Sequence, residues 1–425
     1  MKRASMSSRW LFAAAAALAV AACAPNSAGV RDNAPAEPAS SAPKRITIAI
    51  LSDPPVINAK LATGAGSWQG LGDVTSLVNV GMTSPDDRGS HFTLVANNTF
   101  AYGRPNVDEI TVKFIADPRT LVANVLAGGV DLTLGRGLSI DQSLEIRDRW
   151  AEGRISVPAQ SWLAAYPQFL NPNPAVVGNA QFRRALAYGT DRQQLADAIQ
   201  AGLVPMAHSL LNPESAEYAA IQGSIVRYDF DPRRAAQLLD GLGFSRTQDG
   251  MFQDLLGQSL TVEIRAVPTD TATKTTLALA DSWQRLGVGS EPNLMPPQLQ
   301  RDLEYRANAP GFTILRNGAS LTNLVRFHSN EAPLAQNGFI GENKARYMNA
   351  EFDAMIERYF VTIPLQERYR IAGQIIQHMT DIVLPLGLFY DSEPSMIGNR
   401  LRSFTPSKGE GGSSTWNAHA WAVTS

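Results

Sequence analysis

Five histidines, one cysteine and no clustered acid–thiol or acid–imidazole motif define what this chain can do chemically. His91, His208, His328, His378 and His419 are scattered, so a histidine-centred site would need assembly from distant segments. There is no H-E-x-x-H, no G-x-S-x-G nucleophile elbow and no G-K-[S/T] phosphate loop. Gly135-Arg136-Gly137 lacks the third glycine and a helix opening behind it, and reads as a turn. A single thiol excludes disulfides within the chain and any cysteine-based zinc cluster. The expectation is a protein that is not an enzyme and holds neither metal nor cofactor.

The one cysteine has a specific setting. Lys2, Arg3 and Arg9 precede the apolar run Trp10 to Val20, which is shorter than the ~20 residues a membrane-spanning helix needs. The run ends in Val20-Ala21-Ala22-Cys23, which resembles the lipobox of bacterial lipoprotein precursors. Residues 1–22 are therefore expected to be a signal peptide, with Cys23 the lipidation site. Residues 23–43 are rich in Pro, Ala and Ser without hydrophobic period and are expected to form a disordered tether. Such a tether would hold a folded body about 25 Å from a membrane. Localisation follows: periplasm, or the outer face of the cell membrane.

The remainder is long enough for two cored domains. The chain has 37 basic and 39 acidic residues, and removal of the signal takes three basic residues with it, so nucleic acid is not an expected partner. Ile46 to Leu51 reads as a buried first strand. Ile110, Val112 and Phe114 alternate with polar neighbours as a half-buried strand, Asp117-Pro118 opens a helix, and Val130 to Leu134 returns as a strand. Further on, helical stripes run through Phe182, Ala185 and Leu186, through Leu195, Ala198 and Ile199, and through Ala235, Leu238 and Leu239. Others run through Leu279, Trp283 and Leu286, through Phe352, Met355, Ile356 and Tyr359, and through Ala372, Ile375, Ile376 and Met379. These read as core. Mixed elements throughout indicate an α/β fold with two lobes.

Several segments carry a more specific likeness. Gly103 to Ile110, then Asp117-Pro118 and Ala127-Gly128-Gly129-Val130-Asp131, resemble the "G-x-P-x-x-D-x-I … D … L-x-G-x-V-D" run of solute-binding protein family five. Phe182 to Arg192 resembles its "V-R-x-A-L-x-Y-A-I-D-R" segment, Tyr228 to Leu239 its "Y-x-x-D-P-x-x-A-x-x-L-L", and Arg346 to Asp353 its "x-Y-x-N-P-E-F-D". Leu384-Pro385-Leu386 is similar to its closing "x-P-x". The resemblance implies a bilobal periplasmic binding protein-like fold of class II type, with two lobes joined by a two-strand hinge. Lobe one would be residues 44–160 plus 386–425, and lobe two residues 161–385. It further implies capture of a peptide or similar small solute by hinge closure and delivery to ABC permease subunits driven by a cytoplasmic ATPase. Arg183, Asp191 and Arg192 are expected to organise helix ends and surface ion pairs.

Two departures from the family pattern shape the expectation. Val78 to Gly89 resembles the family's "V-N-x-G-L … D-x-x-G", yet Ser90 to Asn98 already resembles a later strand, so the extra small lobe between them is absent. The stretch Arg316 to Asn323 lacks the aspartate that peptide-binding members place there to pair with the peptide amino terminus, which favours a neutral or anionic solute, or a blocked peptide. Candidate ligand contacts are Trp162 and Tyr166 at the first crossing, and Arg316, Asn317 and Asn323 after the strand Phe312 to Leu315. Tyr390, Asp391 and Trp416 complete the set; Arg316 has Glu342 as an alternative partner. A non-transport envelope sensor or scaffold lipoprotein that has lost its pocket is the alternative function, and a serine hydrolase lipoprotein is disfavoured.

Overall fold

The computed structural model describes residues 42–51, 70–79, 82–83, 90–135, 137–158, 161–392, 394–405 and 413–424. Cys23, the apolar leader and the tether lie outside the described residues. Residues 43–425 form one compact unit.

The first strand is where its isoleucines place it. β1 (Arg45–Ile50) buries Ile46, Ile48 and Ile50 on one face and Ala49 on the other. After α1 (Leu71–Asn79) come β2 (Met82–Thr83) and β3 (His91–Ala96), an antiparallel pair. Only residues 84–90 link them, too short a stretch to hold a lobe. β4 (Glu109–Phe114) lies parallel to β1 and antiparallel to β3. α2 (Pro118–Leu126) starts as expected, with the Asp117 carboxylate accepting from the Thr120 amide at 2.7 Å and Pro118 in the first turn. The chain then returns as β5 (Leu132–Thr133) on the other side of β1. α3 (Ile140–Arg149) is closed by a Ser139–Gln142 capping box, and β6 (Gly153–Ser156) follows.

After β6 the chain enters a second sheet. It contains β7 (Ser161–Pro167), and next in the chain come α4 (Ala180–Tyr188), α5 (Arg192–Gln200), α6 (Ala216–Ile221) and α7 (Pro232–Gly241). A two-strand ribbon, β8 (Ser245–Arg246) and β9 (Phe252–Gln253), leads to β10 (Thr261–Ala266), α8 (Asp270–Leu286) and β11 (Gly289–Leu294). Then follow α9 (Leu303–Ala307), β12 (Phe312–Gly318), α10 (Ala350–Val361), α11 (Leu365–Asp381) and β13 (Leu386–Asp391). β14 (Ser395–Gly398), β15 (Leu401–Arg402) and β16 (Ala422–Val423) complete the chain. The sheet orders are β2-β3-β4-β1-β5-β14-β6 and β11-β10-β12-β7-β13.

The bilobal α/β expectation holds, with one boundary moved. Leu386–Asp391 is fully buried in the second sheet and pairs with β7, so the chain returns to the first sheet at residues 392–394, not after residue 385. The two crossings run side by side: Ser161 lies opposite Asp391 on one side and Ser156 opposite Ser395 on the other.

The second sheet is packed on both faces. One core holds Leu163 and Ala165 of β7 with Phe182, Leu239, Leu279 and Trp283; the other holds Trp162, Ala164 and Tyr166 with Phe352, Ile375, Ile376 and Tyr390. That is the period-two alternation of a strand buried on both sides. Arg183 and Arg192 are not surface residues. Arg183 donates to the Val177 and Ile382 carbonyls, both at 2.9 Å, and Arg192 to the Ala207 (3.1 Å) and Tyr228 carbonyls. Burial pushes both guanidinium pKa values down, to about 10. Asp191 does cap a helix, accepting from the Gln194 amide.

Candidate functional site

The C-terminal ends of the parallel strands in both sheets point toward the crossings. In open α/β sheets that is where ligands bind, because the loops and helix N-termini there are free of the sheet. From the first sheet come Leu51 after β1, Pro118 at the start of α2, and Gly137 to Gln142 around the start of α3. From the second come Thr269 to Thr271 and Lys274 at the start of α8, and Ile199 near the end of α5. Asp391, Ser392 and Pro394 of the return crossing close the back. Together they enclose a cavity of about 240 Å³.

Charge in this cavity is arranged across the cleft. Lys274 is 3.0 Å from Asp270, one turn earlier on α8, and 3.8 Å from Asp141 on α3 of the other lobe. The hydrogen bond to Asp270, with Asp141 nearby, raises the Lys274 pKa above the usual lysine range and keeps it protonated. Asp141 and Asp270 also sit in the first turns of their helices, where they offset the positive dipole ends. Asp391 is spent. Its carboxylate pairs with Arg316 and accepts from the Gln200 amide at 3.0 Å, while Gln200 also takes the Ser392 amide and hydroxyl. Among the described lining residues, and with Asp391 set aside, two carboxylates face one cation, a balance that differs from the one the stretch 316–323 alone suggests.

The eight candidate contacts do not form one site. β12 puts Arg316 and Asn317 on opposite faces of the sheet. Arg316 joins Asp391, so its partner is not Glu342; Arg326 takes that role at 2.6 Å. On the other face the Asn317 amide donates to the Tyr166 hydroxyl (2.7 Å), and Arg326 donates to Asn317 (3.3 Å) and Asn323 (2.9 Å). Burial raises the Tyr166 pKa, so its hydroxyl stays neutral. Trp162 and Tyr390 are core residues on that face, the Tyr390 hydroxyl donating to the Leu211 and Ser209 carbonyls. Trp416 belongs to the first lobe, 47% exposed, its indole donating to the Thr405 carbonyl. Of the eight, only Asp391 lines the cavity.

Sequence reasoning missed Lys274, Asp270, Asp141, Ser139 and Thr269. The signal was present: β10 is followed by Thr269, whose side chain caps α8, and Asp270 and Lys274 stand four apart. A capped helix opening after a strand marks the edge where cleft residues lie. Among the described residues, no group of three or more His, Cys, Asp or Glu could hold a metal ion.

Comparison with known proteins agrees with this geometry. The family model "Bacterial extracellular solute-binding proteins, family 5 Middle" matches residues 84–327, more than half of the chain. Heme-binding protein A of Haemophilus influenzae is 26% identical over 290 residues, covering 67% of this chain and 49% of that protein. The nickel-binding periplasmic protein of Escherichia coli is 25% identical over 204 residues, 47% of this chain and 37% of that one. The chain spans about half or less of the length of these relatives. Among solved structures, NikZ from Campylobacter jejuni in complex with Ni(L-His) superposes with a TM-score of 0.64 at 20% identity, over 80% of this chain and 67% of that one. NikA from Brucella suis in complex with Fe(III)-EDTA gives 0.66 at 16%, over 81% and 68%. With its two sheets, paired crossings and interlobe cavity, the chain belongs to the bacterial extracellular solute-binding proteins of family 5.

Proposed function

We propose that the chain is the extracytoplasmic solute-binding lipoprotein of an ABC importer, anchored through Cys23, and that it captures a small solute by closing its two lobes. The observation that carries this reading is the cavity between the strand ends of both sheets, with the two crossings behind it. A solute touching Ser139 and Asp141 on one side and Thr269 and Lys274 on the other stabilises the closed form through its differential contacts. At about 240 Å³ the cavity is below the ~300–1,000 Å³ of drug-sized sites. Size and charge together point to a small neutral or singly cationic solute, such as an amino-acid amide, a short peptide or a cationic metal chelate. The closed form then docks on the permease.

A thermal-shift screen over neutral, cationic and anionic small solutes, paired with small-angle scattering, tests this. A neutral or cationic hit should raise the midpoint, by about 2.7 kcal/mol of stabilisation at a hundredfold excess over Kd, and reduce the radius of gyration. If no solute moves either quantity while a protein partner copurifies, the chain is a sensor or scaffold instead. The mass of Cys23 in protein from the producing cell tests the anchor separately.

A further inference from the structure

The turn between α10 and α11 presents a crest of apolar side chains that the fold does not cover. Over Phe360–Leu365, Val361 is 77% exposed and Ile363 89%, with Phe360 and Leu365 close to half exposed. The helices are not short of core: Phe352, Ile356, Ile371 and Ile375 are buried on their inner faces. The turn itself is held, by the Thr362 hydroxyl on the Arg358 carbonyl at 2.6 Å and by Pro364. Four large apolar side chains within six residues exceed the single exposed ones usual on a surface.

The shoulders of this crest are cationic. Arg358 and Arg370 both bond Glu367, at 2.9 and 2.7 Å, and both arginine side chains are about half exposed or more. Glu357, one residue before Arg358, faces His328 at 3.2 Å instead. These two exposed guanidiniums of Arg358 and Arg370 stand against the single carboxylate of Glu367.

We infer that this tip inserts into the interfacial region of a membrane carrying anionic phospholipid, its apolar crest below the headgroups and its arginines among the phosphates. A convex apolar crest with cationic shoulders complements a fluid anionic surface, as interfacial membrane anchors do. The expected tether adds to this and rests on the lipoprotein reading: an acyl chain at Cys23 would hold the tip at high effective concentration near a bilayer, so even weak insertion would orient the body.

Because Cys23 is the only cysteine, a Cys23→Ser, Ile363→Cys full-length chain carries one labelling site for an environment-sensitive dye such as nitrobenzoxadiazole. Vesicles of phosphatidylcholine and phosphatidylglycerol in equal parts should blue-shift the dye and raise its emission several-fold, and high salt or phosphatidylcholine alone should weaken the response. A dye at Leu255, in another exposed apolar turn, should not respond. In the Cys23→Ser background, Val361→Asp with Ile363→Asp should lower vesicle partitioning at least tenfold. Three results overturn the inference: no dye response, an equal response at Leu255, or a tip response that follows protein concentration without lipid, which would assign the tip to a second copy. A response to native membranes but not to protein-free vesicles would assign it to a membrane protein and overturn it too. An unmodified Cys23 with the dye response intact would sink the anchor and leave the tip.

Discussion

Replacing Asp391 by leucine removes one half of a buried ion pair at the return crossing. Asp391 is 3% exposed, and the side chains of Arg316 and Asp391 retain 21% and 5% of their surface. In the variant the Arg316 guanidinium loses the Asp391 carboxylate and the Gln200 amide loses an acceptor. Breaking a buried pair on one side costs about 3–5 kcal/mol; the partial exposure of Arg316 puts the expectation near the lower figure, about 3 kcal/mol. Against the ~5–15 kcal/mol typical of a folded domain this is a large fraction. Urea unfolding followed by circular dichroism reads it as a lower midpoint at unchanged slope. The double variant Arg316→Met, Asp391→Leu should recover most of the loss, because an apolar pair of similar size leaves no buried charge. A single variant that loses less than about 1 kcal/mol, or a double variant no better than the single, would refute the reasoning.

Lys274→Met removes the ion pair that spans the lobes; such exposed pairs contribute about 0.2–1 kcal/mol, so the closed population should fall by a factor of about 1.4 to 5 at low salt. Interlobe energy transfer between two dyes measures it, and an equal effect in 1 M salt would exclude an electrostatic cause. Burial, with Arg192 and Arg227 nearby, lowers the His208 pKa from 6.5 to about 4. The folded state therefore binds fewer protons than the unfolded one between those values, and stability falls as pH drops from about 6.5 toward 4. His208→Asn should flatten that slope in thermal melts, and an unchanged slope would assign it to other groups. A Cβ at Gly153 would lie 2.0 Å from the buried Trp150 ring, so Gly153→Ala should destabilise by about 1–3 kcal/mol in urea melts, with lost near-ultraviolet dichroism.

Local chemistry made much of the fold legible. The Asp117 cap, the alternation of Ile110 and Val112, and the stripes through Leu279 and Trp283 or Ile375 and Ile376 lie where the sequence places them. Each depends on neighbours within a turn or a strand. The candidate site depended on pairings far apart in the chain. That Arg316 meets Asp391 follows from β7 lying between β12 and β13, a register spanning more than two hundred residues. Trp162 and Tyr390 look like cleft aromatics beside a crossing, but the period of two turns both into the core. The fully buried run Leu386–Asp391 has no polar break to separate a lobe boundary from a central strand.

The short link between β2 and β3 bears on binding through the origin of the cavity's walls. If the small lobe seen in the family had supplied a wall, the cavity here should open toward β2 and β3. None of its described lining residues comes from residues 82–83 or 90–108. They come from the ends of β1 and β5, the starts of α2, α3 and α8, the end of α5, and the return crossing. These belong to the two main lobes, which the crossings join. A short link there leaves intact the part of the cavity where Lys274 faces Asp141. On the proposed reading, a solute bridging Ser139 and Thr269 would touch both lobes, whereas a long peptide would reach beyond the described lining. On that same reading, the size of the cavity and the length of the link would have one cause: a binding protein built on two main lobes, suited to solutes small enough to be held by them alone.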